Sequence, residues 1–469
     1  MKQDQAFNIY NYCLKIIIQC YCLLVLNNAV AQNAKADGYR GIWFTLGQVS
    51  AYGDKYSGGL GTYTSSHVPV GVYAKQVHKT FFVYGGTTQQ DEKHLLIMIG
   101  YFDHKKKSVP KPVIVYDKKN VDDPHDNASL SIDEDGFIWV FVSGRGTSRP
   151  GLIFKSNEPY SIDAFEEILQ GEMTYPQPWS VKGKGFLYLF TKYTKGRELY
   201  WKTSEDGRNW TEDKKLAGMG GHYQVTNLYN KKLASVFNYH PGGNVDKRTN
   251  IYLVQSVDMG KTWATVNGKT IQTPLTDPVN DALIKNYEAE GKLVYINDLN
   301  FDKNGNPVIL AVISKGFQPG PAGDPRVWTI MHWMGNNWRF DSVCTSTHNY
   351  DMGSLYIEQD KWQIIGPTET GPQQYGTGGE MALWESTNEG KTWKKQVALT
   401  ANSTRNHSYA RRPLNAHPGF YSFWADGNAD TLSVSNLYFC NKKGKVWKLP
   451  YNMQNDVEKP ELLLSTGKP

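Results

Sequence analysis

A short sequence pattern recurs three times along this chain and constrains its fold more than any other feature. The pattern is S-x-D-x-G-x-x-W, complete in residues 256–263 (SVDMGKTW), with Asn in place of Asp in residues 386–393 (STNEGKTW), and looser in residues 204–210 (SEDGRNW). In such a box the Asp caps a tight hairpin turn, the Gly adopts a left-handed conformation and the Trp packs back onto its own sheet. The box therefore marks a fold and is not itself a catalytic site.

Short runs typical of β-strands alternate with Gly, Asn and Asp turns along the rest of the chain. Examples are residues 80–84, 95–100, 137–143, 187–191 and 308–313. Convincing amphipathic helices are absent, so the sequence predicts an all-β protein. Two more turns resemble the box, at residues 133–136 and 302–305. Dividing the chain after residue 31 by roughly 60 residues per blade predicts a seven-bladed β-propeller of four-stranded antiparallel blades.

The N-terminal segment has the organisation of a secretory signal. Basic residues precede an apolar run at residues 16–26, and a small-x-small triplet ends at Ala31, which is the pattern that signal peptidase cleaves. The run is too short to cross a bilayer, and no later segment reaches ~18 apolar residues. We therefore predict a signal peptide at 1–31, cleaved after Ala31, and one secreted or periplasmic β-propeller domain at 32–469.

Composition narrows the classes of function. The net charge of +6 is spread thinly, with no cationic block longer than residues 105–107, so nucleic-acid binding is not indicated. A mildly basic chain with 13% aromatic residues suits an acidic sugar polymer. Two cysteines, Cys344 and Cys440, remain after the signal peptide. They can pair in an oxidising compartment if their backbones are close enough, and no Cys-x-x-Cys indicates a zinc or redox motif.

Three blocks of sequence resemble a known family. They are residues 38–67 (GYRGIWFTLGQVSAYGDKYSGGLGTYTSSH), 122–151 (DDPHDNASLSIDEDGFIWVFVSGRGTSRPG) and 404–427 (TRNHSYARRPLNAHPGFYSFWADG). Together with the boxes, which resemble the Asp-boxes of BNR repeats, they resemble the BNR-4 group of secreted bacterial seven-bladed propellers over essentially the whole mature chain. Within that group, the first block most resembles the α-L-rhamnosidase family that acts on rhamnose α-1,4-linked to glucuronic acid.

The rhamnosidase resemblance gives our leading prediction, an exo-acting glycoside hydrolase that removes terminal rhamnose from a plant or algal polysaccharide. It implies that His67 is the catalytic residue, on the propeller face opposite the usual pocket. A lone imidazole can act as acid or base near neutral pH because its pKa lies there. No cofactor is predicted. The residues that we expect to bind the acidic substrate or stack on a sugar ring are Trp43, Arg145, Arg149, Arg411 and Arg412.

The same group contains propeller ulvan lyases, which implies an alternative reaction on the face opposite His67. β-Elimination needs a base for the uronate C5 proton, an acid for the leaving oxygen and a cation that neutralises the carboxylate. The lyases resemble this chain at His125. They carry a second histidine about twenty residues on, where this chain has Arg145, and an arginine also neutralises a carboxylate. Tyr193 and Arg197 then supply the phenol and a second cation.

Two further expectations come from the residues. Polar or Gly-rich segments in different parts of the chain contain histidines that a propeller can gather around its axis. A metal site is one outcome, although no His-x-x-x-His spacing supports it; the residues are His222, His240, His348, Asp351, His407 and His417. A second alternative function is a non-catalytic propeller that binds acidic oligosaccharide. We expect a monomer whose partner is a polysaccharide or oligosaccharide containing uronate and rhamnose.

Overall fold

Seven antiparallel sheets of four to six strands form the blades of the described chain, and three two-stranded sheets flank them, so the all-β, seven-bladed prediction is confirmed. A computed structural model describes residues 32–60, 66–89, 92, 94–119, 121, 123–359 and 361–463. The predicted signal peptide at 1–31 lies outside those residues. Within them, no helix is both long enough and apolar enough to cross a membrane.

The blades follow one another in chain order, and each runs from an inner strand at the propeller axis to an outer strand. Blade 1 comprises Gly71–Ala74, Lys79–Gly86, Leu96–Asp103 and Val113–Asp117; blade 2 comprises Ala128–Ile132, Ile138–Val142, Gly151–Ser156 and Phe165–Gly171. Blade 3 comprises Thr174–Val181, Gly185–Tyr193, Arg197–Ser204 and Lys214–Ala217; blade 4 comprises Gln224–Tyr229, Lys232–Tyr239, Thr249–Ser256, Trp263–Ala264, Thr270–Ile271 and Leu283–Lys285. Blade 5 comprises Leu293–Phe301, Pro307–Ser314, Arg326–Trp333 and Trp338–Ser346; blade 6 comprises Ser354–Glu358, Lys361–Glu369, Glu380–Ser386 and Lys394–Ala398. Blade 7 comprises Asn406–Arg411, Ser422–Gly427, Leu437–Cys440, Val446–Lys448 and Glu461–Leu462.

Short elements connect or flank the blades. The remaining two-residue strands are Phe44–Thr45, Val49–Ser50, Gly53–Asp54, Ser57–Gly58, Val109–Pro110 and Val457–Glu458, and the single-turn 3-10 helices are Pro124–Asp126, Pro241–Gly243, Val245–Lys247 and Pro321–Gly323.

The hydrophobic core lies between neighbouring blades. Every residue is buried in the second strands Ile138–Val142 and Pro307–Ser314, because each blade has another blade against both of its faces. The outer strand Phe165–Gly171 has no fully buried residue. The apolar runs seen in the sequence are therefore these sandwiched strands, and the outer strands carry the polar surface.

The three boxes identify one end of the propeller. Each connects the third strand of a blade to the fourth, in blades 3, 4 and 6. In the complete box, Asp258 Oδ1 accepts a hydrogen bond from the Thr262 amide at 2.9 Å, and Ser256 Oγ accepts one from the Gly260 amide at 2.9 Å. The box-like turns at Asp133 and Asp302 connect first to second strands. Both kinds of turn lie at the same end of an antiparallel blade, which we call the turn end.

The opposite end, the loop end, carries the connections between second and third strands and those between successive blades. The N-terminal segment closes the ring there, because the Gly41 amide donates to the Ser435 carbonyl of blade 7 and the Ile42 amide to the Gly85 carbonyl of blade 1. The segment then crosses the loop end, where Tyr52 packs edge-on against Tyr375 with ring centres 5.1 Å apart.

The two cysteines do not form the disulfide that an oxidising compartment permits. Cys344 lies in the outer strand of blade 5 and Cys440 in the third strand of blade 7, and both are free thiols. Blade 6 stands between those blades. Burial raises the pKa of the Cys440 thiol to about 12, so this cysteine stays protonated and packs as a small apolar side chain.

The box glycine should be required for both its conformation and its small size. Gly260 has a φ of +74°, and a Cβ there would lie 2.5 Å from Trp201 Nε1; Gly268, in the same blade, has a φ of +86° and nothing within 4 Å of its Cβ position. We expect Gly268→Ala to lower the free energy of unfolding by ~1 kcal/mol through backbone strain alone. Gly260→Ala should lower the free energy of unfolding by clearly more than Gly268→Ala, as measured in denaturant titrations. Equal losses in the two variants would contradict the close packing of Gly260 against Trp201.

Candidate active site

His125 lies at the loop end, immediately before the inner strand of blade 2. It belongs to the single turn Pro124–Asp126, which is capped by Asp123: the Asp123 Oδ1 atom accepts the His125 amide at 3.0 Å and also contacts the ring nitrogen Nδ1. Because the Asp123 carboxylate accepts a hydrogen bond from Nδ1–H, the other ring nitrogen, Nε2, carries the lone pair. Burial lowers the pKa of His125 to about 4 despite the neighbouring carboxylate, so the ring is neutral at physiological pH.

Two arginines from the loop between the second and third strands of blade 2 share that carboxylate. Asp123 Oδ2 pairs with Arg145 Nη1 at 2.6 Å and with Arg149 Nη2 at 2.5 Å. Arg149 also pairs with Asp126, at 2.8 Å. The Arg145 guanidinium lies 3.4 Å from His125 Nδ1 and keeps 44% of its side-chain surface exposed. Arg145 therefore places a positive charge between His125 and solvent.

Arg197 is a buried cation with unused hydrogen-bond donors. It begins the third strand of blade 3, directly opposite Tyr193 in the hairpin register, and its Nη2 donates to the Tyr193 hydroxyl at 3.1 Å. Its guanidinium carbon lies 5.4 Å, 5.2 Å and 4.6 Å from the ring centres of Tyr175, Tyr193 and Tyr223. Its side chain forms no ion pair with the described residues, and its Nε and Nη1 atoms lack partners there.

Tyr223 lies between Arg197 and a second buried arginine. The Arg248 guanidinium carbon is 4.5 Å from the Tyr223 ring centre, and Arg248 Nη2 donates to the Tyr350 hydroxyl at 2.7 Å. Although burial alone raises it, the two guanidiniums lower the pKa of Tyr223 below the usual tyrosine value. The ring of His240 completes this wall, with its centre 5.0 Å from that of Tyr223. The site thus places phenols and cations side by side at the loop end.

His67 lies directly behind this surface. Its Nε2 is 3.3 Å from the His125 carbonyl oxygen, its ring centre is 5.3 Å from that of Tyr175, and its side chain is fully buried. The expectation that His67 and His125 occupy opposite faces is wrong. His67 precedes the inner strand of blade 1 and His125 that of blade 2, and all inner strands start at the loop end.

Three other predicted substrate-binding residues lie outside the His125 cluster. Trp43 is 1% exposed and packs against Gly427 in the core. Arg411 ends the inner strand of blade 7, where its Nη1 donates to the Asn297 carbonyl at 2.8 Å inside the channel. Arg412 follows at the turn end and pairs with Asp298 at 3.6 Å. Of the predicted residues, the structure brings together His67, His125, Arg145, Arg149, Tyr193 and Arg197.

The histidines considered as metal ligands are dispersed. Among the residues that the structure describes, no group of three or more His, Cys, Asp or Glu side chains could hold a metal ion. Asp351 accepts the amides of His348 and Gly378 at 2.7 Å and 2.8 Å, and burial raises its pKa to about 7. The tilted rings of His417 and His104 are in contact at the turn end, with their centres 3.8 Å apart.

Sequence reasoning missed four residues of this site: Asp123, Tyr175, Tyr223 and Arg248. Asp123 had a usable signal, because Asp before Pro-His indicates a capped turn that fixes the histidine. Tyr223 follows Gly-Gly-His and directly precedes the inner strand of blade 4, at the same end of the propeller as His125. Arg248 carries no sequence signal, because its role depends on tyrosines from other blades.

Comparison with known proteins assigns the fold family. The profile of the BNR repeat-containing family matches residues 75–346, more than half of the chain. The chain belongs to the BNR repeat-containing family. One family relative is an ulvan lyase of Alteromonas sp. (strain LOR), 19% identical over 365 residues, which cover 69% of this chain and 73% of that protein.

Solved structures agree with the family's propeller fold. A polysaccharide lyase, ulvan lyase, bound to -[GlcA(1-4)Rha3S]-, superposes with a TM-score of 0.69 at 15% identity, covering 88% of this chain and 96% of that chain. A second structure of an ulvan lyase gives a TM-score of 0.68 at the same identity and coverage. These likenesses support the seven-bladed architecture.

The state of His125 can be tested by NMR titration. Because the Asp123 carboxylate raises the pKa that burial lowers, Asp123→Asn should move the pKa of His125 below its native value of about 4. His94, whose pKa is raised by Asp117, should be unaffected and serves as the internal control. Folding lowers the pKa of His125, so its contribution to stability is present above the unfolded value of 6.5 and is lost as the pH falls toward 4. A native His125 that titrates at 6.5 or above would contradict this.

Proposed function

We propose that this protein is a secreted polysaccharide lyase that cleaves an acidic polysaccharide beside a uronate residue by β-elimination. The observation that carries the proposal is the Arg197 guanidinium, which is buried among tyrosine rings with Nε and Nη1 unpartnered. Burying a cation without a counter-ion is costly, and a bidentate carboxylate is the ligand that best satisfies a guanidinium. A uronate carboxylate fits this requirement.

The reaction requires a cation, a base and an acid, and we assign these roles to Arg197 and two of its neighbours. Pairing of the substrate carboxylate with Arg197 acidifies the C5 proton, because the guanidinium stabilises the negative charge that develops as that proton leaves. His125 Nε2, neutral and directed by Asp123, accepts the C5 proton. The electron pair of the C5–H bond forms the C4–C5 double bond, and the C4–O bond breaks. The Tyr193 hydroxyl gives its proton to the leaving oxygen.

Tyr193 is suited to that role by its neighbours. Its hydroxyl accepts a hydrogen bond from Arg197 Nη2 at 3.1 Å, and the Arg145 guanidinium carbon lies 6.0 Å from its ring centre. Both cations stabilise the phenolate that remains after proton donation. Arg145 replaces the second histidine of the lyases that this chain resembles, and it supplies a permanent positive charge where a histidine must be protonated to do so.

The α-L-rhamnosidase activity expected from the first sequence block is less well supported. The fully buried His67 faces the His125 carbonyl and the Tyr175 ring, which suits a residue that supports the His125 turn. The relatives with matching architecture are named as ulvan lyases, one of them bound to a glucuronate–sulfated rhamnose repeat. We therefore propose uronate- and rhamnose-containing polysaccharide as the substrate class.

Replacing Arg197 should slow elimination strongly. We expect Arg197→Ala to lower kcat/KM on ulvan by about 10²–10³, the range seen when one preorganised donor to a developing anion is removed. Turnover is followed by the ultraviolet absorbance of the unsaturated uronate, with release of free rhamnose measured in parallel. The control is Arg208→Ala, which removes an exposed arginine from the same blade that pairs with Glu166 and should leave turnover unchanged.

Each alternative outcome of that assay has a distinct meaning. Free rhamnose without new absorbance would overturn the lyase proposal and favour the glycoside hydrolase activity instead. Absorbance that survives in Arg197→Ala would remove Arg197 from the mechanism. No product from ulvan or from rhamnose-capped arabinogalactan in the native protein, together with binding of either polymer, would favour a non-catalytic propeller.

A further inference from the structure

A second candidate site, a cleft, lies on the side of the propeller, along the seam between blades 6 and 7. The cleft has a volume of about 750 Å³, inside the ~300–1,000 Å³ range typical of ligand sites. Its walls are the outer strand Lys394–Ala398 with the following segment 399–405, and the hairpin formed by Leu437–Cys440 and Val446–Lys448. None of the residues that line it belongs to the His125 cluster.

The lining of the cleft is strongly cationic. It contains four basic side chains, Arg405, Lys443, Lys445 and Lys448, and one carboxylate, Asp426. Lys448 pairs with Glu461 at 2.9 Å. Lys443 and Lys445 lie on the exposed hairpin turn, held by their amides, which donate to Asn441 Oδ1 at 3.0 Å and 2.9 Å. Neither lysine side chain forms an ion pair with a described residue.

The acidic groups beneath the cleft are already satisfied. Asp426 accepts hydrogen bonds from Arg405 Nη2 at 2.9 Å, from the Tyr438 hydroxyl at 2.8 Å and from the Asn436 amide at 2.6 Å. Since this carboxylate is buried and fully bonded, it contributes little negative potential to the cavity. Arg405 Nε has no partner within the described chain.

A second buried network keeps another carboxylate away from the cavity. Trp424 Nε1 donates to His407 Nδ1 at 3.1 Å, so the neutral ring carries its proton on Nε2, which lies 3.0 Å from Ser403 Oγ. Ser403 Oγ in turn donates to Glu380 Oε2 at 2.8 Å, and the Ser403 amide donates to Glu380 Oε1 at 2.7 Å. The arrangement fixes the segment 399–405 as a rigid wall with Asn402 and Thr404 exposed at its rim.

We propose that this cleft is a non-catalytic binding site for a segment of an anionic saccharide chain. Carboxylate or sulfate groups of the chain pair with Lys443, Lys445 and Arg405, and its hydroxyls bond to the polar rim. The groove reaches from Arg405 toward the loop end to Lys443 at the turn end, so it suits an extended chain. The proposal shares its ligand class with the proposed function but does not depend on the elimination reaction.

Charge reversal at the cleft provides the test. The full-length His125→Ala protein, which should leave the polymer intact, is run by affinity electrophoresis through gels containing ulvan or neutral dextran. We expect Lys443→Glu with Lys445→Glu to raise the dissociation constant for ulvan about tenfold at low salt, with no retardation by dextran in any variant. Added salt should weaken the native interaction, since exposed charges are screened.

The matched control is Lys105→Glu with Lys106→Glu. These exposed lysines lie on the corresponding hairpin of blade 1, where Asp103 Oδ1 accepts both of their amides at 2.9 Å. Lys443→Arg with Lys445→Arg should keep native binding, which separates loss of charge from loss of fold. Equal weakening in the two Glu pairs, or unchanged binding in the cleft pair, would overturn the proposal.

A second measurement separates this site from the proposed function. Turnover of a short uronate oligosaccharide that fills only the His125 site should depend on Arg197 and be unaffected by the Lys443 and Lys445 replacements. If the native protein cleaves no uronate substrate, only the lyase proposal is overturned, because polymer binding through Lys443 and Lys445 is measured without catalysis.

Discussion

The Arg197 guanidinium is enclosed by Tyr175, Tyr193 and Tyr223 and has only one of its nitrogens satisfied by a described partner. Aromatic faces stabilise the positive charge in part, but they do not replace the hydrogen bonds that Nε and Nη1 lose on leaving water. The tyrosines also hold the guanidinium in one orientation. This arrangement is the basis of the proposed anion site, and the roles proposed for His125, Arg145 and Tyr193 depend on it.

The shared orientation of successive blades is what assembles this site. The contributing side chains precede inner strands or lie in loops between second and third strands, and both positions belong to the loop end. His125 comes from the connection between blades 1 and 2, Arg145 from blade 2, Arg197 from blade 3 and Arg248 from blade 4. No two adjacent blades alone could surround a ligand in this way. The Asp-boxes stabilise the turn end, where the chain places no residue of this cluster.

Much of the fold could be predicted from sequence, because its signals are local. The sequence of a capped hairpin such as 256–263 predicts its conformation. An apolar run such as 308–313 predicts a strand that is buried on both faces. His125, Arg145, Tyr193 and Arg197 were found through a motif resemblance. The contact between His67 and His125 could not be predicted in the same way, because it depends on the end of the propeller at which each histidine lies. Tyr223 and Arg248 were not predicted, because a cation that packs between aromatic rings from different blades leaves no pattern along the sequence.

The cleft between blades 6 and 7 and the His125 site address different parts of one physical problem. A polyanionic chain is attracted to any cationic surface, but only a site that excludes water and supplies a base can break it. The rim lysines are exposed and exchangeable charges, whereas Arg197 is enclosed. Under the two proposals, the number of charges therefore governs binding in the cleft, and geometry governs the reaction at the His125 site.

The central claim is that Arg197 binds the uronate carboxylate beside His125. The most direct measurement is a crystal structure of the full-length His125→Ala protein with a uronate-containing oligosaccharide. The account predicts the carboxylate hydrogen-bonded to the Arg197 guanidinium through Nε or Nη1, the nitrogens without described partners, and the uronate C5 facing the space vacated by the His125 ring. A sugar bound with its carboxylate elsewhere, or an Arg197 guanidinium still without an anionic partner in the complex, would contradict it.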